Sequence, residues 1–189
     1  MATGMADPRI PDLALLIVAA FSRHADALAW ARTRLEITFG PVALASGPFA
    51  FNQTSYYEPE MGVGLQKELL AFRDLTNPDE LARIKHFTND VECQLADSQT
   101  YPESRPLNLD PGLLTLGKFM LATTKDQAHR IYLREGIYAE VTLRFHDGEF
   151  EPWPWTYADY REPHVRSFLK QARDFYRQRR LEQQAPEER

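Results

Sequence analysis

Between His129 and Phe150 the chain reads H-R-I-Y-L-R-E-G-I-Y-A-E-V-T-L-R-F-H-D-G-E-F, and apolar and polar positions alternate on either side of a short connection. That period of two predicts a β-hairpin. With Arg134-Glu135-Gly136 as a three-residue bulged turn, Leu133 falls opposite Ile137, Tyr132 opposite Tyr138, Ile131 opposite Ala139 and Arg130 opposite Glu140. One face then carries Ile131, Leu133, Ile137, Ala139, Val141, Leu143 and Phe145, and such a surface wants a core. The other face carries Arg130, Tyr132, Tyr138, Glu140, Thr142 and Arg144. It is either solvated or the floor of a site.

The remaining pattern divides into elements. Leu13 to Phe21 is apolar without alternation, as in a strand buried on both faces, and is expected at the centre of a sheet. Ser22 is placed to cap a helix with an apolar stripe of Ala27, Leu28, Trp30, Ala31 and Leu35, stopped by Gly40-Pro41. Pro41 to Phe51 reads as a strand interrupted by Ser46-Gly47-Pro48. A loop from Asn52 to Gly64 follows, rich in hydroxyls, tyrosines and carboxylates. Leu65 to Leu75 reads as a strand. Asn77-Pro78-Asp79-Glu80 is a capping signal that opens a helix of about 20 residues, with Leu81, Ile84, Thr88, Val91 and Leu95 buried and Lys85, Asn89 and Glu92, at intervals of four and three, along a flank that is either solvated or reaches the rim of a site. His86 and Asp90 share a metal-ligand spacing that is common by chance. Asp97 to Pro106 is a polar loop, and Asp110-Pro111-Gly112 signals a turn. Phe119 to Thr124 predicts another strand. Pro152 to Tyr160, with four aromatics and two prolines, is a stiff cover for a sheet edge, and a basic amphipathic helix starts near Pro163.

These elements predict one α+β domain over residues 12–180, with a mixed, mostly antiparallel sheet of five to seven strands and three main helices, most of them on one face. A three-layer sandwich is the alternative. Residues 1–11 are expected to form a disordered leader and 181–189 a frayed acidic tail.

Composition narrows the function more than it names it. A net charge of −5 over 189 residues argues against duplex nucleic acid as a partner. Cys93 is the only cysteine, so no internal disulfide or Cys-x-x-Cys zinc site can form, and a cytoplasmic location is the simplest expectation. The longest apolar run, Leu13 to Phe21, is less than half of the ~20 residues that span a bilayer. Phosphate-binding, dinucleotide-binding, serine-hydrolase and zinc-protease motifs are absent from the sequence.

Several stretches occur together in order: Tyr56-Tyr57-Glu58-Pro59-Glu60-Met61-Gly62, Asn108-Leu109-Asp110-Pro111-Gly112, Lys125, Arg130-Ile131-Tyr132-Leu133, Gly136 to Leu143, and Trp155-Thr156-Tyr157. In this the chain resembles the bacterial family catalogued as domain of unknown function 4416, from Leu13 to about Tyr176. The resemblance implies one cytosolic bacterial domain and carries no assigned chemistry.

Candidate chemistry therefore comes from residue types. Glu60, Asp110 and Glu140 supply acids, Arg105, Lys125 and Arg130 supply cations, and Tyr57, Tyr132 and Tyr138 lie between them in sequence. Arg130 and Lys125 suit an anionic group. Glu60 and Asp110 suit a hard cation such as Mg²⁺, or one of them a general base. The first expectation is a small-molecule-handling enzyme or binding protein for a phosphorylated or nucleotide-like anion. The second is a non-catalytic assembly module in which Arg130 pairs with Glu140. The third is single-stranded RNA binding on Tyr132, Tyr138 and the tryptophan segment.

Overall fold

The computed structural model describes residues 7–184. Nine strands form one sheet: β1 (Ala14–Ser22), β2 (Val42–Ala45), β3 (Phe49–Ala50), β4 (Gln66–Thr76), β5 (Asn108–Leu114), β6 (Lys118–Thr123), β7 (Ile131–Arg134), β8 (Ile137–His146) and β9 (Glu149–Pro152). The strand order is β2-β4-β1-β5-β6-β8-β7, with β3 also on β4 and β9 also on β8, and every pairing is antiparallel. The sheet is thus larger than expected and not mixed. Around it stand α1 (Ala25–Phe39), α2 (Glu58–Met61), α3 (Leu81–Asp97) and α4 (Pro163–Gln184).

β1 is central because all nine of its residues are buried. Its alternate side chains serve two cores. Leu16 and Val18 pack with Leu28, Leu35, Ile84 and Val91 of α1 and α3, whereas Leu15 and Ile17 pack with Phe168, Leu169 and Tyr176 of α4. Helices therefore cover both faces of the antiparallel sheet in three layers, two long helices on one side and one on the other.

The hairpin keeps the expected pairs Ile131 with Ala139 and Tyr132 with Tyr138, but Arg134 rather than Leu133 faces Ile137. The turn has two residues, Glu135 and Gly136, at φ 52° and 76°. This is the left-handed pair that matches strand twist, and it displaces Leu133 into a bulge. The single apolar face also fails. The register of β6 with β8 skips Thr142, so Ile137 and Ala139 join the α1/α3 core while Leu143 and Phe145 join the α4 core. Ile131 and Leu133 stay exposed on the outermost strand. A bulge inverts which face every later residue meets.

Two other departures shape the site. Asp110-Pro111-Gly112 lies inside β5 rather than in a turn. Pro111 can be accommodated because pairing with β6 begins only at Gly112. A Cβ on Gly112 would stand 2.4 Å from the Met120 carbonyl oxygen, so only glycine lets β6 approach. At the start of α1, His24 occupies the capping position, while the Ser22 hydroxyl donates to the Pro106 carbonyl and accepts the His24 N–H. At α3, Asn77 caps as expected by accepting the Asp79 N–H, and a 3₁₀ turn, Pro78–Glu80, precedes the helix. Pro152 to Tyr160 does cover an edge. Trp155 Nε1 donates to Val141 O and the Thr156 hydroxyl to Thr142 O, at the residues of β8 between its pairings with β7 and β9.

Candidate functional site

β5 and β6 keep register only from Gly112 to Leu114. Beyond that, Asn108 and Asp110 on one strand and Ala122 and Thr123 on the other line a cavity of about 400 Å³ between them. Its walls come from one end of the sheet: Phe21 at the end of β1, Lys67 at the start of β4, and Glu140 on β8. Lys85 and Asn89 of α3, the Phe51–Tyr57 loop, the loop from Thr124 to Arg130 and the turn Tyr157–Tyr160 complete them.

Five cations line this space, and four are already matched. Arg130 Nε donates to Glu140 Oε2 at 2.9 Å, with the two side chains 2% and 1% exposed. Its other nitrogens donate to Lys125 O at 2.9 Å and Tyr157 Oη at 2.6 Å. Lys67 Nζ lies 2.6 Å from Asp159 Oδ2, with both side chains buried. Lys85 Nζ donates to Leu109 O at 2.8 Å and reaches Asp110 Oδ1 at 3.4 Å. Arg105 pairs with Glu92 at 3.1 Å and Glu60 at 3.8 Å and bonds Asn108 Oδ1. Lys125 is different. Exposed at the mouth, its ammonium meets the Tyr56 hydroxyl at 2.9 Å and that ring's face at 4.5 Å, and it forms no ion pair among the described residues.

Burial sets the protonation of the walls. It raises the phenol pKa of Tyr57, with Asp110 adding to the effect, and that of Tyr157, with Glu140 adding. Tyr160 is pushed well up by burial. All three therefore stay protonated hydrogen-bond donors at neutral pH. Burial also raises Glu92, although Lys85 and Arg105 oppose it. For Arg105 the burial penalty is outweighed by Glu92, so its pKa rises and its charge is secure.

Of the residues singled out from sequence, Tyr57, Arg105, Asp110, Lys125, Arg130 and Glu140 all line the cavity. Glu60 does not. It lies outside, half exposed against Arg105, and contacts run from it through Arg105 and Asn108 to Asp110. The expected carboxylate pair for Mg²⁺ is thus not assembled, and among the described residues no three His, Cys, Asp or Glu side chains gather as metal ligands. His86 bonds Glu135 O instead. Tyr132 and Tyr138 sit on the outer hairpin, edge to face with each other at 5.3 Å. Trp153 and Trp155 stack in parallel on one another at 5.3 Å. The rings expected to receive RNA bases are largely engaged with one another.

Lys67, Asp159, Tyr157 and Tyr160 escaped the sequence reading. Of the α3 flank, Lys85 and Asn89 stand at the cavity rather than in solvent, and Glu92 turns to β5, where it accepts the Leu109 N–H at 2.8 Å. Their spacing of four and three along α3 was the available signal.

No helix is long and apolar enough to cross a membrane among the described residues. No curated protein and no solved structure matches the chain. Residues 12–176, nearly the whole described fold, match one family, and the chain belongs to it: Domain of unknown function (DUF4416).

Proposed function

We propose that the cavity binds a small phosphorylated or nucleotide-like anion, with the negative group at Lys125. One observation carries this reading: the other four lining cations have carboxylate partners, whereas among the described residues Lys125 has only a phenol. An anion arriving there displaces no internal ion pair. Thr123, Thr124, Gln127 and Gln53 at the same mouth add uncharged donors, and a chain of net charge −5 presents local positive charge there. The volume lies within the roughly 300–1,000 Å³ of small-molecule sites. Should the bound molecule be turned over, Asp110 is the partly open carboxylate placed to take a proton. Glu140 is closed off by Arg130.

The test is thermal unfolding with nucleoside monophosphates, sugar phosphates and inorganic phosphate, each with and without magnesium. A ligand at about 100 times its Kd adds ~2.7 kcal/mol, or about 5–10 °C for a chain of this length. Lys125→Ala should remove that shift while leaving the unliganded Tm unchanged. A panel that moves the Tm of neither protein at millimolar concentration overturns the proposal.

A second reading, self-assembly of the assembly-module kind, has one observation in its favour: the outermost strand β7 exposes Ile131 at 72%, Tyr132 at 56% and Leu133 at 39%. A second copy pairing edge to edge would cover them. Sedimentation showing a dimer that Leu133→Lys abolishes supports it, and a monomer at high concentration removes it.

A further inference from the structure

The enclosed end of the cavity has hydrogen-bonding capacity that the protein leaves unused. Lys67 and Asp159 are 3% and 4% exposed, yet both line the cavity. An ammonium has three N–H donors, and Asp159 Oδ2 is its one acceptor among the described residues. The remaining faces of Lys67 Nζ look at rings, Tyr160 at 4.6 Å, Phe51 at 5.2 Å and Phe21 at 5.4 Å from their centres. Asp159 likewise accepts through one oxygen only. The Tyr160 hydroxyl, in the same wall, is buried without a hydrogen-bond partner among the described residues. Buried polar groups of a folded protein are nearly always satisfied, so three underused groups at one end of one cavity point to a ligand that satisfies them.

Their chemistry says what kind. A second phosphate or carboxylate would face the Asp159 carboxylate, so this end does not suit another anion. Donor and acceptor stand side by side, 2.6 Å apart. That arrangement complements a neutral edge carrying an acceptor next to an N–H. Aromatic side chains surround it, which favours a flat ring over an open chain. Resting on the reading that an anion sits at Lys125, we infer that the ligand is a nucleotide, its base edge held between Lys67 and Asp159 and its phosphate at the mouth. The Lys67–Asp159 pair is then a specificity element for the base. The phosphate is held without it.

The experiment compares the four common nucleoside monophosphates with ribose 5-phosphate by calorimetric titration, in the wild type and in Lys67→Met/Asp159→Leu. The double replacement exchanges a buried ion pair for apolar side chains of comparable bulk, a change proteins usually tolerate, whereas Asp159→Asn alone would strand a buried ammonium. Near-ultraviolet circular dichroism confirms that the variant is folded. The expected result is at least one nucleotide binding ~10-fold or more tighter than ribose 5-phosphate, because a site built to hydrogen-bond a polar edge rejects a molecule lacking it. That preference should vanish in the folded double variant while ribose 5-phosphate binds as before. Equal binding of ribose 5-phosphate and all four nucleotides overturns the base assignment and leaves the anion site standing. A preference that survives the double replacement overturns the role of Lys67 and Asp159. Failure of every compound to bind the wild type overturns the anion reading and this inference with it.

Discussion

Arg130 donates through three nitrogens to three partners, the Glu140 carboxylate, the Lys125 carbonyl and the Tyr157 hydroxyl. Such saturation makes it a framework residue more than a hand for a ligand, because any anion that took its guanidinium would have to break the bond to Glu140. The position also fixes three things at once: the loop that carries Lys125, the turn that carries Tyr157, and β8. An ion pair this deep need not stabilise the fold relative to apolar side chains, yet breaking it is costly since one charge is left behind in a poorly solvated place. Arg130→Ala is therefore expected to lower the unfolding free energy in urea by ~3–5 kcal/mol. The lower end is favoured because His129 Nε2, 3.2 Å from the same Glu140 oxygen, can share that charge. Arg130→Met/Glu140→Leu should recover most of the loss. A single-variant loss below about 1 kcal/mol would show that the pair is not closed to solvent.

Glu103 plays the corresponding part between elements. It sits in the loop before β5 and ties that loop to the start of α1, accepting from Arg23 Nη1 at 3.0 Å and lying 2.8 Å from His24 Nε2. Burial pushes its carboxyl up, but the bond to His24, supported by Arg23, outweighs this and holds it below the usual carboxylate range. With the folded pKa below the unfolded one, the contribution is present above the unfolded value of ~4.3 and is lost as pH falls through the folded value. Glu103→Gln should then cost about 1 kcal/mol at pH 7, a small figure because Arg23 is 40% exposed, and less near pH 3. Urea unfolding at both pH values checks it, and an equal cost at each would refute the electrostatic origin. At this scale the chain was readable where one local rule sufficed. β1 announces itself in the apolar run Leu13 to Phe21, and the α3 cap as Asn77-Pro78. β5 does not, because Asp-Pro-Gly signals a turn everywhere except where a neighbouring strand has yet to begin pairing at the proline and crowds the glycine. The β8 bulge at Thr142 is equally silent in the sequence, since Val141, Leu143 and Phe145 continue the alternation straight through it.

Across the whole molecule, the site was legible only as far as its residues sit in conspicuous local contexts. Asp110, Lys125, Arg130 and Tyr57 stood out as polar residues in loops and on the hairpin, whereas Lys67 and Asp159 lie 92 positions apart, Lys67 inside a plain strand and Asp159 in an aromatic segment whose rings, not its carboxylate, draw the eye. Glu60 was misplaced for the opposite reason: a carboxylate in a functional-looking loop need not point inward. What brings the distant parts together is the three-layer arrangement, and α4 is the layer that closes it, since the 3₁₀ turn Ala158–Arg161, which carries Asp159 and Tyr160, lies just before Pro163, and Tyr160 packs in one core with Val165, Phe168 and Leu169 of the first turns of α4. The last buried residue of α4 among the described side chains is Tyr176, whose hydroxyl donates to Leu13 O at 2.7 Å. Beyond it, Leu181 is 61% exposed and the Arg179 and Arg180 ion pairs with Glu182 and Asp12 are superficial, so they contribute little. A chain ended after residue 178 is expected to keep its near-ultraviolet dichroism and lose less than ~1 kcal/mol in urea. Ending it after residue 166 removes Phe168, Leu169, Ala172 and Tyr176 from the second core. At about 1.5–3 kcal/mol for each large apolar side chain, that loss is comparable to the whole ~5–15 kcal/mol that holds a domain folded, and exposing the sheet beneath adds to it. The shorter chain should show no cooperative unfolding transition. If it unfolds cooperatively, or if the longer one does not, α4 is not the layer on which the closure of the sheet and its cavity depends.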